Sequence, residues 1–190
     1  MRLFEDNNEN KVFKELKCNK KLENNAFYKC TFSNSSFQSS QFVGCDFDNC
    51  EFINCDLSLI EIHGAVFSDA KFIDCKLLGI NWSSAGGFFS ASYTGCSLNN
   101  NAFADMNLSK FKFESCSLVE ALFSNAKMAY AVFDDCDLGG CQFHQADLSF
   151  ANFSTSRNYY INASTNTLHK TVFSLPEAVS LLKNLDIVLV

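Results

Sequence analysis

A single proline and eight glycines in 190 residues, set against 21 phenylalanines, exclude collagen-like, linker-like and disordered compositions. Basic charge is scarce as well. Fifteen Lys and Arg face 21 Asp and Glu, a formal net charge of -6, which argues against a nucleic-acid ligand held by counterion release and favours a basic partner protein. No run of about 18 apolar residues is present to span a bilayer. The start, MRLFEDNNENK, carries acids where a signal peptide needs a basic and then an apolar stretch. A soluble, cytoplasmic protein is the expectation, and its ten cysteines then read as reduced thiols instead of a disulfide framework. The length suits one domain or one elongated body.

What the chain has in abundance is a repeat of five. From Leu22 a large apolar residue recurs at every fifth position through Phe27, Phe32, Phe37, Phe42, Phe47 and Phe52 to Trp82. The series slips by one residue, resumes at Phe88 and runs on to Phe153. A period of five fits neither a helix nor an isolated strand. Two positions before each large residue sits a small one, and nine of the ten cysteines obey this rule. Each pentad therefore turns one small and one large apolar group inward and its polar residues outward, the pattern of a solenoid.

Ala-Asp-Leu-Ser-Phe at 146–150 and Cys-Asp-Leu-Gly-Gly at 136–140 resemble the pentads of the pentapeptide-repeat family, and the resemblance covers residues 22–156. It implies an all-β fold, a right-handed quadrilateral β-helix of about seven coils with four pentads to a coil. If so, residues 20 apart stack at the strand spacing of about 4.8 Å, and like should sit on like. They do: Phe32, Phe52, Phe72, Tyr93, Phe113, Phe133 and Phe153 form an aromatic column that reaches Phe173, and Cys55, Cys75, Cys96, Cys116 and Cys136 form a thiol column. The one step of 21 in each column places a one-residue bulge near 83–87.

The ends depart from the pattern. Residues 1–21, with Lys17 where a large apolar group is due, read as an irregular N-terminal cap, and 157–190 as a loop, a last partial coil, a helix and a dimerisation tail. Ser174-Leu-Pro-Glu177 has the form of a capping box with an early proline, so a short helix is expected from Leu175 to Asn184. Leu182, Leu185, Ile187 and Leu189 make an apolar terminus, for which a twofold homodimer is the simplest solution. The tail is similar to that of the Qnr and microcin-immunity branch of the family, which implies tail-to-tail dimers acting on DNA gyrase or topoisomerase IV. The two looped insertions that Qnr proteins use in protecting gyrase from quinolones have no counterpart here.

Catalytic chemistry finds no purchase. The Cys45, Cys50, Cys55 spacing is the solenoid's own and not that of a zinc site, His63 and His144 are outward and some four coils apart, and His169 has no triad partner in sequence. No metal, cofactor or catalytic residue is assigned. Cys18, outside the register, is the expected reactive thiol. Phe111 fills a small position beside Phe113 and should distort the wall, while Phe89, Tyr130 and Phe150 point outward by register as an apolar patch. The acids are all outward, in two runs, and the expected partner-binding face is Asp46, Asp48, Glu51, Asp56, Asp134, Asp135 and Asp137, a DNA-like stripe for the basic saddle of a type II topoisomerase. The alternative is a rigid solenoid scaffold for an unrelated protein partner. Neither reading involves direct nucleic-acid or membrane binding.

Overall fold

The computed structural model describes residues 4–185, and within them every side chain except those of Pro176 and residues 183–185. Many pentads form a strand of about three residues and the others pair through single bridges, the central side chain pointing inward, and most are followed by a corner residue in the left-handed region, with φ between 49° and 70°. That conformation is costly for most L-residues and least so for Gly, Asn and Asp. Asn10, Asn24, Asn34, Asn49, Asn54, Gly64 and Asp74 occupy such corners, so the polar residues of the repeat turn the chain as well as solvate it.

Four corners close a turn of 20 residues with four walls, named here by the inward residues Phe27, Phe32, Phe37 and Phe42. The Phe32 wall is a seven-stranded parallel sheet from Val12–Lys14 to Val132–Asp134. The Phe27 and Phe42 walls carry parallel sheets of four and three strands, and the Phe37 wall is joined by single bridges from Lys17 to Arg157. Down the middle of the Phe32 wall nine rings, Phe13 to Phe173, stack at centroid spacings of 4.8–5.6 Å with planes 4–17° apart. Each fully buried Phe contributes roughly 2 kcal/mol of apolar burial, which is how so narrow a body is held without a globular core.

Of the N-terminal residues expected as an irregular cap, those from Asn7 onward form a turn of the helix. Asn7–Glu9 pairs with Ala26–Tyr28, Val12–Lys14 with Thr31–Ser33, and Lys17 bridges Ser36. The partners are 19 residues apart, one short of the later turns, so a search for 20-residue columns misses them. Leu16 and Cys18 exchange the small and large roles in this turn. Cys18 therefore lies in the column of Phe37 and Leu57 with 6% of its surface exposed, and the expectation of a reactive, accessible thiol is overturned.

The arrangement where the repeat slips differs from the expected one. Asn81 caps a 3₁₀ turn, Trp82–Ser84, by accepting from the Ser83 amide at 3.2 Å, and the register then steps by 21, pairing Ala70 with Ala91. Phe88, expected inward, is 75% exposed, and Phe89 turns in to lie 5.5 Å from Trp82. The extra residue rotates the chain by one position at that corner, which exchanges the two rings. Phe111 stacks on Phe89 at 5.7 Å and 8°, so the large residue in a small position fills the space beside the bulge.

At the far end Arg157 still bridges Asp137, residues 158–163 leave the repeat with Tyr159 and Ile161 buried in its place, and Thr167 and Val172 again pair 20 residues from Asp147 and Asn152. The closing helix is one α turn, Leu175–Ala178, continued as a 3₁₀ segment, Val179–Leu185. The expected capping box does not form: the Ser174 side chain makes no cap bond and its Oγ lies 3.4 Å from the Tyr159 hydroxyl, while the Glu177 carboxylate accepts from the Asn158 amide at 3.0 Å. Of the expected dimer contacts, Leu182 is partly exposed. The side chain of Leu185, together with Ile187 and Leu189, lies outside the described residues.

Candidate protein-interaction surface

All ten cysteines are buried and free, and among the described residues no cluster of His, Cys, Asp and Glu could hold a metal ion. The thiols have a structural task. The S–H groups of Cys55, Cys75, Cys96 and Cys136 donate to the carbonyls of Phe32, Phe52, Phe72 and Phe113 one turn below, at 3.3–3.4 Å. Ser156 makes the same bond to Phe133 at 2.8 Å, and Thr171 to Leu148. The small position thus selects a compact side chain with one donor, and sulfur supplies the more apolar version. Burial pushes the thiols of Cys50 and Cys141 up to about 12, so they remain protonated and inert.

Among the described residues the charged side chains lie on the outer faces. The structure sets the seven singled-out acids on three walls, in two groups separated by four turns. Asp46 and Asp48 flank Phe47 on one wall, with Glu51 on the second and Asp56 on the third. Desolvation, and then the neighbouring charge of Asp48, raise the pKa of Asp46. The second group, Asp134, Asp135 and Asp137, gathers around one corner between the Phe32 and Phe37 walls, with Glu114 stacked one turn below Asp134. Glu9, missed because the first turn is one residue short, joins the first group two turns below Asp48.

Cations take up part of this charge. Lys71 reaches Glu51 at 2.9 Å, Lys112 reaches Glu114 at 2.7 Å, and Arg157 lies 3.4 Å from Asp135 and 3.6 Å from Asp137. Two of the acids also serve the fold: the carboxylates of Asp56 and Asp137 accept from the amides of Ser58 and Gly139. Asp46 has the freest carboxylate of the first group, and Asp134 is held only by the Thr155 hydroxyl at 2.9 Å. His63 and His144 are exposed, as expected, and His63 lies 3.4 Å from Glu61. Of the expected outward aromatics, Tyr130 and Phe150 stack on each other at the surface.

A parallel solenoid with five-residue wall units and an apolar core defines a class of repeat proteins, the pentapeptide β-helices. Family models bear this out: the model for pentapeptide repeat regions matches residues 87–162 and that for pentapeptide repeats, 8 copies, matches residues 27–64. Together these span more than half of the sequence, and the chain belongs to the pentapeptide-repeat family. No curated protein matches it. Among solved structures, a trypsin-treated variant of QnrB1, described as a plasmid-mediated fluoroquinolone resistance protein, is similar at 19% identity and a TM-score of 0.55, over 97% of this chain and 99% of that one. HetL, a pentapeptide repeat protein involved in heterocyst differentiation regulation in the cyanobacterium Nostoc, is 16% identical over 88% of each chain with a TM-score of 0.41. At 19% identity the likeness to the QnrB1 variant is one of fold.

Proposed function

We propose that the protein is a non-enzymatic, cytoplasmic binding rod that engages the DNA-receiving surface of a type II topoisomerase, DNA gyrase or topoisomerase IV. In this reading it modulates the enzyme or shields it from quinolones or toxins. The observation that supports it is the arrangement of acids, outward without exception and grouped four turns apart along one rigid body. Between residues 24 and 156 there are 14 acids and six lysines. At about 4.8 Å per turn this is roughly one net negative charge per 4 Å of axis, against about one per 1.7 Å for duplex DNA. The rod is thus a diluted electrostatic copy of a duplex, and its binding depends on shape as well as charge. Two copies joined through the C-terminal end, where Leu182 is partly exposed, would double the acidic length.

The test is a gyrase supercoiling assay with the purified protein, with and without a fluoroquinolone, at two salt concentrations. Restored supercoiling under the drug, or inhibition without it that fades at the higher salt, is the expected outcome. The absence of any effect in both arms overturns the reading. The pairing of Glu51, Glu114, Asp135 and Asp137 with cations favours a second reading, a scaffold that displays other surfaces to an unrelated partner. A null supercoiling result selects it.

A further inference from the structure

The corner that follows the Phe27 wall carries Asn10, Lys29, Asn49 and Asp69 in the N-terminal half, all in the left-handed region. In the C-terminal half the same corner carries Lys110, Tyr130, Phe150 and Lys170, with φ of 65°, 61°, 59° and 53°. The fold imposes this conformation at its corners, and bulky aromatic residues are uncommon in it. Tyr130 and Phe150 are 52% and 36% exposed, so core packing does not explain them. Their rings lie face to face at 4.7 Å and 2°, His169 stands perpendicular to Phe150 at 5.1 Å, and the Lys170 ammonium is 5.8 Å from the Phe150 centroid.

Each ring spends one face on the other and the Lys170 ammonium stands over the Phe150 ring, so apart from the outer face of Tyr130 the ladder presents ring edges to solvent. Ring edges are the electropositive part of an aromatic quadrupole, and here lysines close the row at both ends. On this wall, Lys127 and Asp147 face each other in register, and Asp147 is its one acid across these four turns. A basic and apolar ledge on a chain of net charge -6 has a sign opposite to the rest of the surface. Stacking of nucleobases needs free ring faces. A protein segment needs edges, a cation for each carboxylate and an apolar strip between them.

We propose that the Lys110–Tyr130–Phe150–Lys170 ledge is a docking site for an acidic segment of a partner protein in which carboxylates alternate with apolar side chains. The proposal is independent of the topoisomerase reading, because a basic saddle is repelled by this ledge. The probe is a fluorescein-labelled peptide alternating Glu with Phe and Leu, titrated with the full chain and followed by anisotropy. A peptide with Lys in place of Glu and a labelled oligo-dT strand are the comparison arms. The acidic peptide is expected to bind, and Tyr130→Asn with Phe150→Asn to weaken it about tenfold or more. Asn is at ease in this backbone conformation, so the variant keeps the fold, which circular dichroism checks. Lys110→Glu with Lys170→Glu should weaken binding similarly. Equal binding of the basic peptide, undiminished binding by the variants, binding of oligo-dT instead, or self-association that the aromatic variant abolishes each overturns the proposal.

Discussion

Tyr93 sits among phenylalanines in the long aromatic stack, fully buried, with a hydroxyl that has no hydrogen-bond partner. Burial raises its pKa well above the ordinary range for a phenol. Trp82 Nε1 and Asn101 Nδ2 are unpartnered in the same region, whereas the nearby Cys96 thiol finds the Phe72 carbonyl. An unsatisfied buried hydroxyl costs about 1 kcal/mol or more. Tyr93→Phe, which keeps the ring stack between Phe72 and Phe113, should accordingly raise stability by roughly 1 kcal/mol in chemical denaturation. A lower denaturation midpoint would mean that the hydroxyl has a partner, such as an interior water, after all. This position was legible as inward from its spacing alone. That its hydroxyl is stranded was not, because spacing says which way a side chain points and nothing of what it meets.

The bulge shows the same division at the level of one turn. A step of 21 in two columns located it, but which of Phe88 and Phe89 turned inward depended on the path of the corner, set by the Asn81-capped turn. The N-terminal turn escaped for a related reason: a 19-residue pitch, with Leu16 and Cys18 exchanged, carries the right side chains in the wrong count. Within the bulge the tightest point is Gly86. A Cβ there would lie 2.6 Å from the Gly64 carbonyl oxygen and 2.9 Å from its carbon, backbone atoms that cannot swing aside. Gly86→Ala should destabilise the protein by roughly 1–3 kcal/mol. Gly64→Ala carries a different strain, since nothing lies near its Cβ and only its φ of 66° resists the change. An unchanged denaturation midpoint for Gly86→Ala would show that the two corners can separate, and that the bulge is softer than the walls around it.

Over the whole rod, the seven acids were legible as outward but not as a set. The count of four pentads to a coil already spread them over three walls, but it gave no sign that Arg157 reaches back to two of them. The groups at Asp46–Asp48 and Asp134–Asp137 are four turns apart, roughly 20 Å. Effects at such a distance add. If one basic surface spans both groups, reversing Asp46 and Asp48 to Lys, or Asp134 and Asp135 to Lys, should each weaken gyrase binding about tenfold, and both together about a hundredfold. A loss confined to one pair would place the contact on a single end of the rod. No loss from either pair would remove charge from the mechanism.

The five-residue wall also governs how surfaces on such a chain can be re-aimed. Removing one whole turn of 20 residues returns every inward side chain to its own column and shortens the rod by about 4.8 Å. Removing a single pentad keeps the alternation of small and large residues but swings everything beyond the cut by about a quarter of a revolution. The Asp134 group would then face a different compass bearing from the Asp46 group, with the pattern of the core preserved. Separation and azimuth of two contact patches are therefore independently adjustable by whole-unit deletions, a freedom that a globular domain with one shared core does not have.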